Sequence, residues 1–409
     1  MVKKILVKLA ERYAVFLILK NAFKRTRDNL INTLPIDSKL IVFESFRSTK
    51  YADSPRAIYE YLLANSEFDE YRFVWSIKDV KKYSFLNGNR TKVVKFGTLS
   101  HKLAFARAKY WIVNGWIPLN LKKREGQIAL QCWHGTPFKR IRYDIISSAT
   151  TKHKDSAIDN NDAEMIRYDY IVSPSRYVTE ITKTAFNLVE LHKEDIIIET
   201  GYPRNDILST FTSDKAAAIR SELKIPKDKK IILYTPTWRE DIRDSDRDYS
   251  LQLDLDALKK SLGDEWILLV RLHYLVADTI DYSKYKGFVY NVSDFDDISP
   301  LYVISDVLMT DYSSTMFDYA ILKRPMIFYM YDLDHYKNNL RGFYFGLDEL
   351  PGDIVQSEVA IGKIIHNLPA YEKKYKGKYA KFNKKFDYLD DGKATKRVVD
   401  RVFNISSRS

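Results

Sequence analysis

Cysteine is nearly absent: Cys132 is the only one in 409 residues. That excludes a disulfide framework and a cysteine-built zinc site, and it predicts a small apolar residue packed in a strand. Long apolar runs are also missing. The longest near the start, YAVFLIL at 13–19, falls short of the roughly 18 residues of a spanning helix, and no small-residue cleavage site follows it. Neither a membrane span nor a signal peptide is therefore expected. No internal repeat and no low-complexity tract occurs. No Asp-x-Asp pair sits at a strand end as a metal clamp. The acidic SDFDDIS at 293–299 reads as a loop and helix start. The expectation is that no metal is required, with free Mg²⁺ compatible. Acidic residues fall short of basic ones, 54 against 66, which leaves a net charge of +12. Such a surface seeks polyanions: nucleic acid, anionic lipid or phosphorylated substrates. None of the usual nucleic-acid recognition motifs appears, and the aromatic residues fit sheet cores, so a nucleic-acid partner is not expected.

What is present is globular: 45% of residues are hydrophobic and 29% charged, and the length favours two domains over one core. Residues 1–37 form a first unit. Ile5, Leu6, Leu9, Tyr13, Phe16 and Leu17 recur at helical spacing among Lys3, Lys4, Lys8, Arg12, Lys20, Lys24, Arg25 and Arg27. A basic amphipathic helix of this kind either lies on an anionic membrane or packs on the body with its charged face in water.

From residue 38 onward, short β-branched and aromatic runs alternate with helical stretches. KLIVFES (39–45), RFVWSI (72–77), KVVKF (92–96), KYWIVN (109–114), QIALQCW (127–133), YDYIVS (168–173) and DIIIET (195–200) read as strands. After the helical SDKAAAIRSELKIPKDK (213–229) a second series follows: KIILYTP (230–236), WILLVRL (266–272), GFVYNV (287–292), DVLMTD (306–311) and PMIFYM (325–330). Runs that are apolar throughout suit strands buried on both faces. The alternation predicts an α/β protein with two parallel-sheet domains, 38–212 and 213–409, facing a cleft. Ligands in such sheets bind beyond the carboxyl ends of the strands.

The chemistry-bearing motifs fall at those ends. In QCWHGTPFKRI (131–141), His134 follows a strand, Gly135 and Thr136 shape the turn, and Lys139, Arg140 and Arg142 come close behind. An imidazole there suits proton abstraction, with the cations facing an anionic substrate or membrane. RLHY places Arg271 and His273 on the same side of a strand end, a pair that suits a diphosphate. YTPTWRE runs into Thr235, Thr237 and Arg239, which match phosphate recognition. DVLMTDYSSTMFDYA carries a strand to Asp311, opens a helix at Ser313 and Ser314, and places Asp318 in its first turns to accept from ribose hydroxyls. TGYPRND brings Arg204, Asn205 and Asp206 to the last strand of the first domain, and Asn205 and Asp206, like Gly135 and Thr136, are expected on the acceptor side. The loop FRSTKYADSPR, with Tyr51 and Asp53, follows the first strand and faces the cleft from the acceptor side.

WHGTPFK, TGYPRND, YTPTWR, RLH and DVLMTDYSSTMFDYA stand in this order over roughly residues 40–400. In this the chain resembles the CDP-glycerol glycerophosphotransferases of teichoic acid synthesis. The resemblance implies a GT-B-type fold and transfer of a polyol phosphate from a CDP-activated donor to a lipid-linked polyol phosphate acceptor, with release of CMP. It implies a peripheral position on the cytoplasmic face of an anionic membrane. It implies His134 as catalytic base, His273 beside the donor diphosphate, and Arg271, Thr237, Ser313, Ser314 and Asp318 around the donor. The loop at 46–56 departs from the glycine-containing loop and Asp-Asn-Pro expected of the family, which leaves the acceptor open. Alternatives are a CDP-ribitol donor, a GT-B glycosyltransferase using a nucleotide sugar, and a non-catalytic membrane-peripheral protein. Single addition or polymerisation, and the oligomeric state, are likewise open.

Overall fold

The computed structural model describes residues 20, 22–146, 161–237, 251–272, 276, 279–333 and 342–405. The first domain is a seven-stranded sheet: β1 (Asp37–Glu44), β2 (Arg72–Ile77), β3 (Thr91–Lys95), β4 (Ala108–Val113), β5 (Ile128–Gln131), β6 (Tyr170–Ser173) and β7 (Ile197–Glu199). The second is a six-stranded sheet: β8 (Lys230–Thr235), β9 (Trp266–Val270), β10 (Val289–Asn291), β11 (Val307–Thr310), β12 (Met326–Tyr329) and β13 (Ile354–Val355). The orders are β3-β2-β1-β4-β5-β6-β7 and β10-β9-β8-β11-β12-β13, all neighbours parallel. This is the expected pair of Rossmann-like sheets. Every expected strand is present, with ends within two residues of those read from sequence. The two-residue β13 is too short to leave a pattern and was not anticipated.

The unbroken apolar runs have a simple cause. Successive strand residues point to opposite faces, and both faces are covered. Ile41, Phe43, Phe73, Trp75 and Ile112 enter one core of the first domain. Val42, Val74, Trp111 and Val113, interleaved with them, enter another. The second sheet divides likewise, with Ile231, Leu233 and Leu269 on one face and Ile232, Tyr234 and Leu268 on the other.

Two segments cross between the domains. Phe138, just past His134, is buried in the core of the second domain, stacked on Phe343 at a centroid distance of 4.4 Å. The backbone around it pairs with residues 342–344, Arg140 N donating to Gly342 O (2.8 Å) and Tyr344 N to Phe138 O (3.0 Å). The second segment corrects the sequence-based division at 213–409. The helix Ala394–Val402 returns to the first domain, where Val398, Val399 and Val402 join the core of Ile41, Phe43 and Ile58. Its apolar face matches that core, and a boundary drawn at one place in the chain misses such a return.

Of the basic N-terminal segment, residues 1–19 and 21 lie outside the described residues. Residues 22–31 are helical, and Asp28 ties this helix to the first domain through Lys102 at 2.5 Å. Among the described residues, no helix is long and apolar enough to cross a membrane. The lysine-rich stretch at 371–386 lies in the helix Leu368–Phe386, which buries Tyr371, Tyr375, Tyr379, Phe382 and Phe386 on one face and exposes its lysines on the other.

The returning helix yields a stability prediction. Val398→Ala leaves a cavity in the first-domain core although the residue lies near the C-terminus. It should destabilise the protein by roughly 1–3 kcal/mol, read as a lowered urea midpoint at unchanged slope. A change confined to the second domain's transition would contradict this packing.

Candidate active site

A cavity of about 350 Å³ opens between the carboxyl ends of the two sheets, with walls from residues 133–138, 235–237, 271–272 and 312–315. It brings together His134, Gly135, Thr136, Thr235, Thr237, Arg271, Ser313 and Ser314, residues drawn from both domains. His273 and Arg239 lie outside the described residues.

His134 is placed by three strand ends. β5 ends at Gln131, and Trp133 takes a left-handed conformation (φ 53°) that turns the chain toward the cavity. The imidazole Nδ1 lies 2.8 Å from the carbonyl of Asn114, just past β4. A carbonyl only accepts, so Nδ1 carries the proton and Nε2 presents its lone pair. Asn114 Oδ1 in turn accepts from Phe46 N (2.8 Å), just past β1. Asn114 was not singled out from the sequence. Its only trace there is the Asn-Gly pair that ends β4, and its carbonyl meets His134 only because β4 and β5 are neighbours.

His134 is exposed on the cavity wall, with the rings of Phe46 and Trp133 of its own domain beside it. Although the residue is exposed, desolvation by the protein around the ring lowers its pKa to about 4, against the hydrogen bond to Asn114, and the positive charges of Arg204 and Arg142 push the same way. The imidazole is neutral at neutral pH.

The opposite wall is a network of hydroxyls and one carboxylate. Thr237 donates to Asp311 Oδ1 from its amide (2.9 Å) and its hydroxyl (2.6 Å). Thr235 Oγ1 lies 3.0 Å from Thr315 Oγ1 and 3.2 Å from Thr310 Oγ1. Asp311 is thus a holder of the Thr237 turn rather than a group that lines the cavity. Arg271 is half-buried and donates through Nη1 to Phe295 O (2.6 Å) and Val292 O (3.2 Å). Burial lowers its pKa, but guanidinium stays charged in proteins. The first helical turn at Thr315 follows Ser313 and Ser314. Gly135 meets this loop so closely that a Cβ on it would sit 2.8 Å from Ser314 Oγ.

Several expected site residues do other work. Asp318, expected to bind a ribose, turns away from the cavity and is buried in the domain interface. It accepts from Arg204 Nη2 (2.9 Å), Arg204 Nε (3.2 Å) and Asn205 Nδ2 (3.0 Å). Both of its oxygens are thus engaged by donors of the first domain. Asn205 and Asp206, expected on the acceptor side, hold the returning chain. Asn205 also donates to Asp390 (3.2 Å), and Asp206 accepts from the amides of Ala394 and Thr395, both at 2.8 Å, at the start of the last helix. Tyr51 and Asp53 border a different interdomain cavity of about 730 Å³. There Tyr51 donates to Glu60 (3.0 Å), and Asp53 sits 3.8 Å from Arg204 with its pKa raised to about 6, mainly by burial. The cations behind His134 also divide. Lys139 lines the cavity, whereas Arg142 lies over the rings of Phe186 (4.4 Å) and Trp116 (4.6 Å) and donates to Asn161 (3.0 Å). No group of three or more His, Cys, Asp or Glu side chains able to hold a metal occurs among the described residues.

A family model described as CDP-Glycerol:Poly(glycerophosphate) glycerophosphotransferase matches residues 27–404. A Staphylococcus aureus teichoic acid glycerol-phosphate transferase is 40% identical over 403 residues, covering 94% of this chain and 100% of the relative. A Staphylococcus epidermidis teichoic acid poly(glycerol phosphate) polymerase is 41% identical over 377 residues, 90% of this chain but 51% of the relative. The chain therefore spans about half the length of that polymerase. The solved structure of the wall teichoic acid polymerase TagF superposes with a TM-score of 0.85 at 38% identity, covering 96% of each chain.

Two outcomes follow from this geometry. In a histidine-resolved NMR titration, His134 should stay neutral well below the ordinary value of about 6.5, protonating near pH 4. A midpoint near 6.5 would contradict the desolvation described. Gly135→Ala should push the Ser314 loop away. A misplacement on the ångström scale costs on the order of 100-fold in turnover, so unchanged turnover would show that the contact has no role.

Proposed function

The chain belongs to the CDP-glycerol:poly(glycerophosphate) glycerophosphotransferase family, and on that premise we propose that it transfers glycerol phosphate from CDP-glycerol to a hydroxyl of a lipid-linked teichoic acid acceptor, releasing CMP. The observation that carries this reading is His134. Its Nδ1 proton is committed to Asn114, and its ring lines a cavity whose far wall holds Arg271, Thr237 and the Ser313–Ser314 loop. A base and an anion-binding wall thus face each other at a distance set by the domain interface.

The steps follow from those positions. The diphosphate of the donor lies against Arg271, the Thr235 and Thr237 hydroxyls and the amides that open at Ser314–Thr315. Nε2 of His134 takes the proton of the acceptor hydroxyl. The oxygen forms a bond to the phosphorus bearing glycerol as the bond to the CMP oxygen breaks, and CMP leaves with the electron pair. Such transfers depend on positioning and on electrostatic stabilisation. The free enzyme's low imidazole pKa suits a neutral resting base, but a base at about 4 accepts protons weakly. The anionic donor offsets the field of Arg204 and Arg142 and moves the pKa toward neutrality once the donor is bound.

The glycerol donor is favoured because both relatives described above carry glycerol phosphate in their names. We place the protein at the cytoplasmic membrane surface as a peripheral enzyme. Support comes from the cations of residues 1–27 and from the lysine face of the helix Leu368–Phe386, both suited to anionic lipid.

The test is CMP release by purified protein with CDP-glycerol and CDP-ribitol supplied separately, alongside a lipid-linked glycerol phosphate acceptor. CMP from CDP-glycerol alone is expected. Release of UDP or GDP from a nucleotide sugar, with no CMP, would sink the phosphotransfer reading. His134→Ala should lower turnover roughly 100- to 10,000-fold while CDP-glycerol binding survives. Near-normal turnover in that variant would remove His134 from the base role.

A further inference from the structure

The acidic run SDFDDIS at 293–299 takes no part in the steps above. It follows β10 and lies between Arg271 and the first domain. On one side the loop holds the end of β9. Val292 O and Phe295 O accept from Arg271 Nη1 at 3.2 and 2.6 Å, and Ser293 Oγ accepts from Leu272 N at 2.9 Å. Ser293 is itself held by Asn291 Oδ1, which accepts from its amide (3.1 Å) and its hydroxyl (2.6 Å). The backbone of Arg271 is pinned by its amide to Tyr234 O at 2.9 Å. What the loop decides is therefore the direction of the guanidinium at the cavity wall.

On its other side the loop is fastened to the first domain. Asp297 Oδ2 accepts from Asp53 N at 3.3 Å, the first amide of the helix Asp53–Ala64. The residue before that helix is Ala52, whose side chain has no oxygen to offer its first turn. A carboxylate of the other domain supplies one. Asp53 takes a left-handed φ of 63°, a conformation L-residues avoid, so the backbone is strained at the point of contact. Asp297 Oδ1 accepts from Ser299 N at 3.2 Å, at the start of the helix Ser299–Ile304. One carboxylate thus spans the first turns of two helices, one from each domain, and both helix ends favour its charge there. Arg56 Nη1 adds a cation 3.9 Å from Oδ2, and Lys82 Nζ meets Asp296 Oδ1 at 2.7 Å.

We propose that Asp297 is a positioning residue for the phosphate transfer: it fastens the 292–297 loop to the first domain, and the loop in turn aims Arg271 at the donor diphosphate. This assignment rests on the phosphotransfer reading above and adds to it the contact that couples domain placement to the anion wall. Lys82 and Asp296 form a second, weaker fastening, since half of the Lys82 side chain is in water.

The experiment compares wild-type protein with Asp297→Asn. An amide of the same size keeps one acceptor oxygen but cannot accept at both helix starts, so one bond is lost and little else. The KM for CDP-glycerol should rise roughly 10-fold, as for the loss of one charge-assisted hydrogen bond. The KM for the lipid-linked glycerol phosphate acceptor should not move. Lys82→Glu should raise the CDP-glycerol KM by less, and Asp296→Lys added to it should recover most of that rise. An unchanged CDP-glycerol KM in Asp297→Asn, an equal rise in the acceptor KM, or no recovery in the exchanged pair overturns the assignment. A second readout does not depend on turnover. Hydrogen exchange, followed by mass spectrometry on the peptides carrying Asp53 and Leu272, should quicken at both in Asp297→Asn: at Asp53 because its acceptor is lost, at Leu272 because Ser293 loosens. Unchanged exchange at Leu272 means that the fastening does not reach the strand end at Arg271, and it overturns the proposal. Absence of CMP release by wild type would instead remove the transferase reading, and the exchange result would still decide whether the loop holds that strand end.

Discussion

The arrangement depends on one buried charge. Arg204, 4% exposed, reaches from the first domain into the interface and meets Asp318 of the second at 2.9 Å. Desolvation works against its charged form, but the carboxylates of Asp318 and Asp53 outweigh it and hold its pKa well above normal. Such a pair is a weak source of net stability, because taking two ions out of water costs nearly as much as their attraction returns. Its effect is geometric. A different placement of the domains breaks its hydrogen bonds to Asp318 and leaves only the more distant Asp53, at 3.8 Å, to offset the charge.

The catalytic cavity inherits that placement. Asp318 belongs to the helix Thr315–Ala320, which begins one residue past Ser314, and Arg204 lies in the turn after β7. Fixing this pair fixes the Ser313–Ser314 loop against the first domain, close enough at Gly135 to exclude a Cβ. The Phe138–Phe343 stack and the backbone pairing of 138–140 with 342–344 act on the same boundary from the far side of His134. The His134 imidazole is thereby held between two interdomain attachments and oriented by a backbone carbonyl. The Arg204 charge also reaches the imidazole and helps depress its pKa, so one residue sets both position and protonation state.

The two domains contribute unlike chemistry. The second presents hydroxyls, amides and a guanidinium, a wall that suits anions. The first presents a neutral imidazole with an unprotonated Nε2, which suits a hydroxyl. A transfer reaction between an anionic donor and a hydroxyl-bearing acceptor needs these two surfaces and needs them apart until the domains bring them together. The returning C-terminal helix, capped by Asp206, adds a covalent tie that keeps the second domain against the first.

The strands, their order in the chain and the two-sheet class were legible in the sequence because each strand is buried on both faces and leaves an unbroken apolar run. The motifs at the strand ends were legible because loops there carry Gly, Pro, Ser and Thr in short clusters. The motifs at His134, Thr237, Arg271 and Ser313 do line one cavity. What the sequence could not separate was a polar residue that faces ligand from one that faces protein. Asp318, Asn205, Asp206 and Arg142 sit in the same motifs as the cavity residues and carry the same kinds of atoms. Pairing across more than one hundred residues, as between Arg204 and Asp318, leaves no local periodicity. The same holds for Asn114, whose carbonyl reaches His134 only through the adjacency of β4 and β5, and for the last helix, whose apolar stripe is readable but whose partner is not. Local pattern determined the elements and the kinds of chemistry at their ends. Only the tertiary structure decided which groups face the cleft, because that depends on contacts between residues distant in the chain.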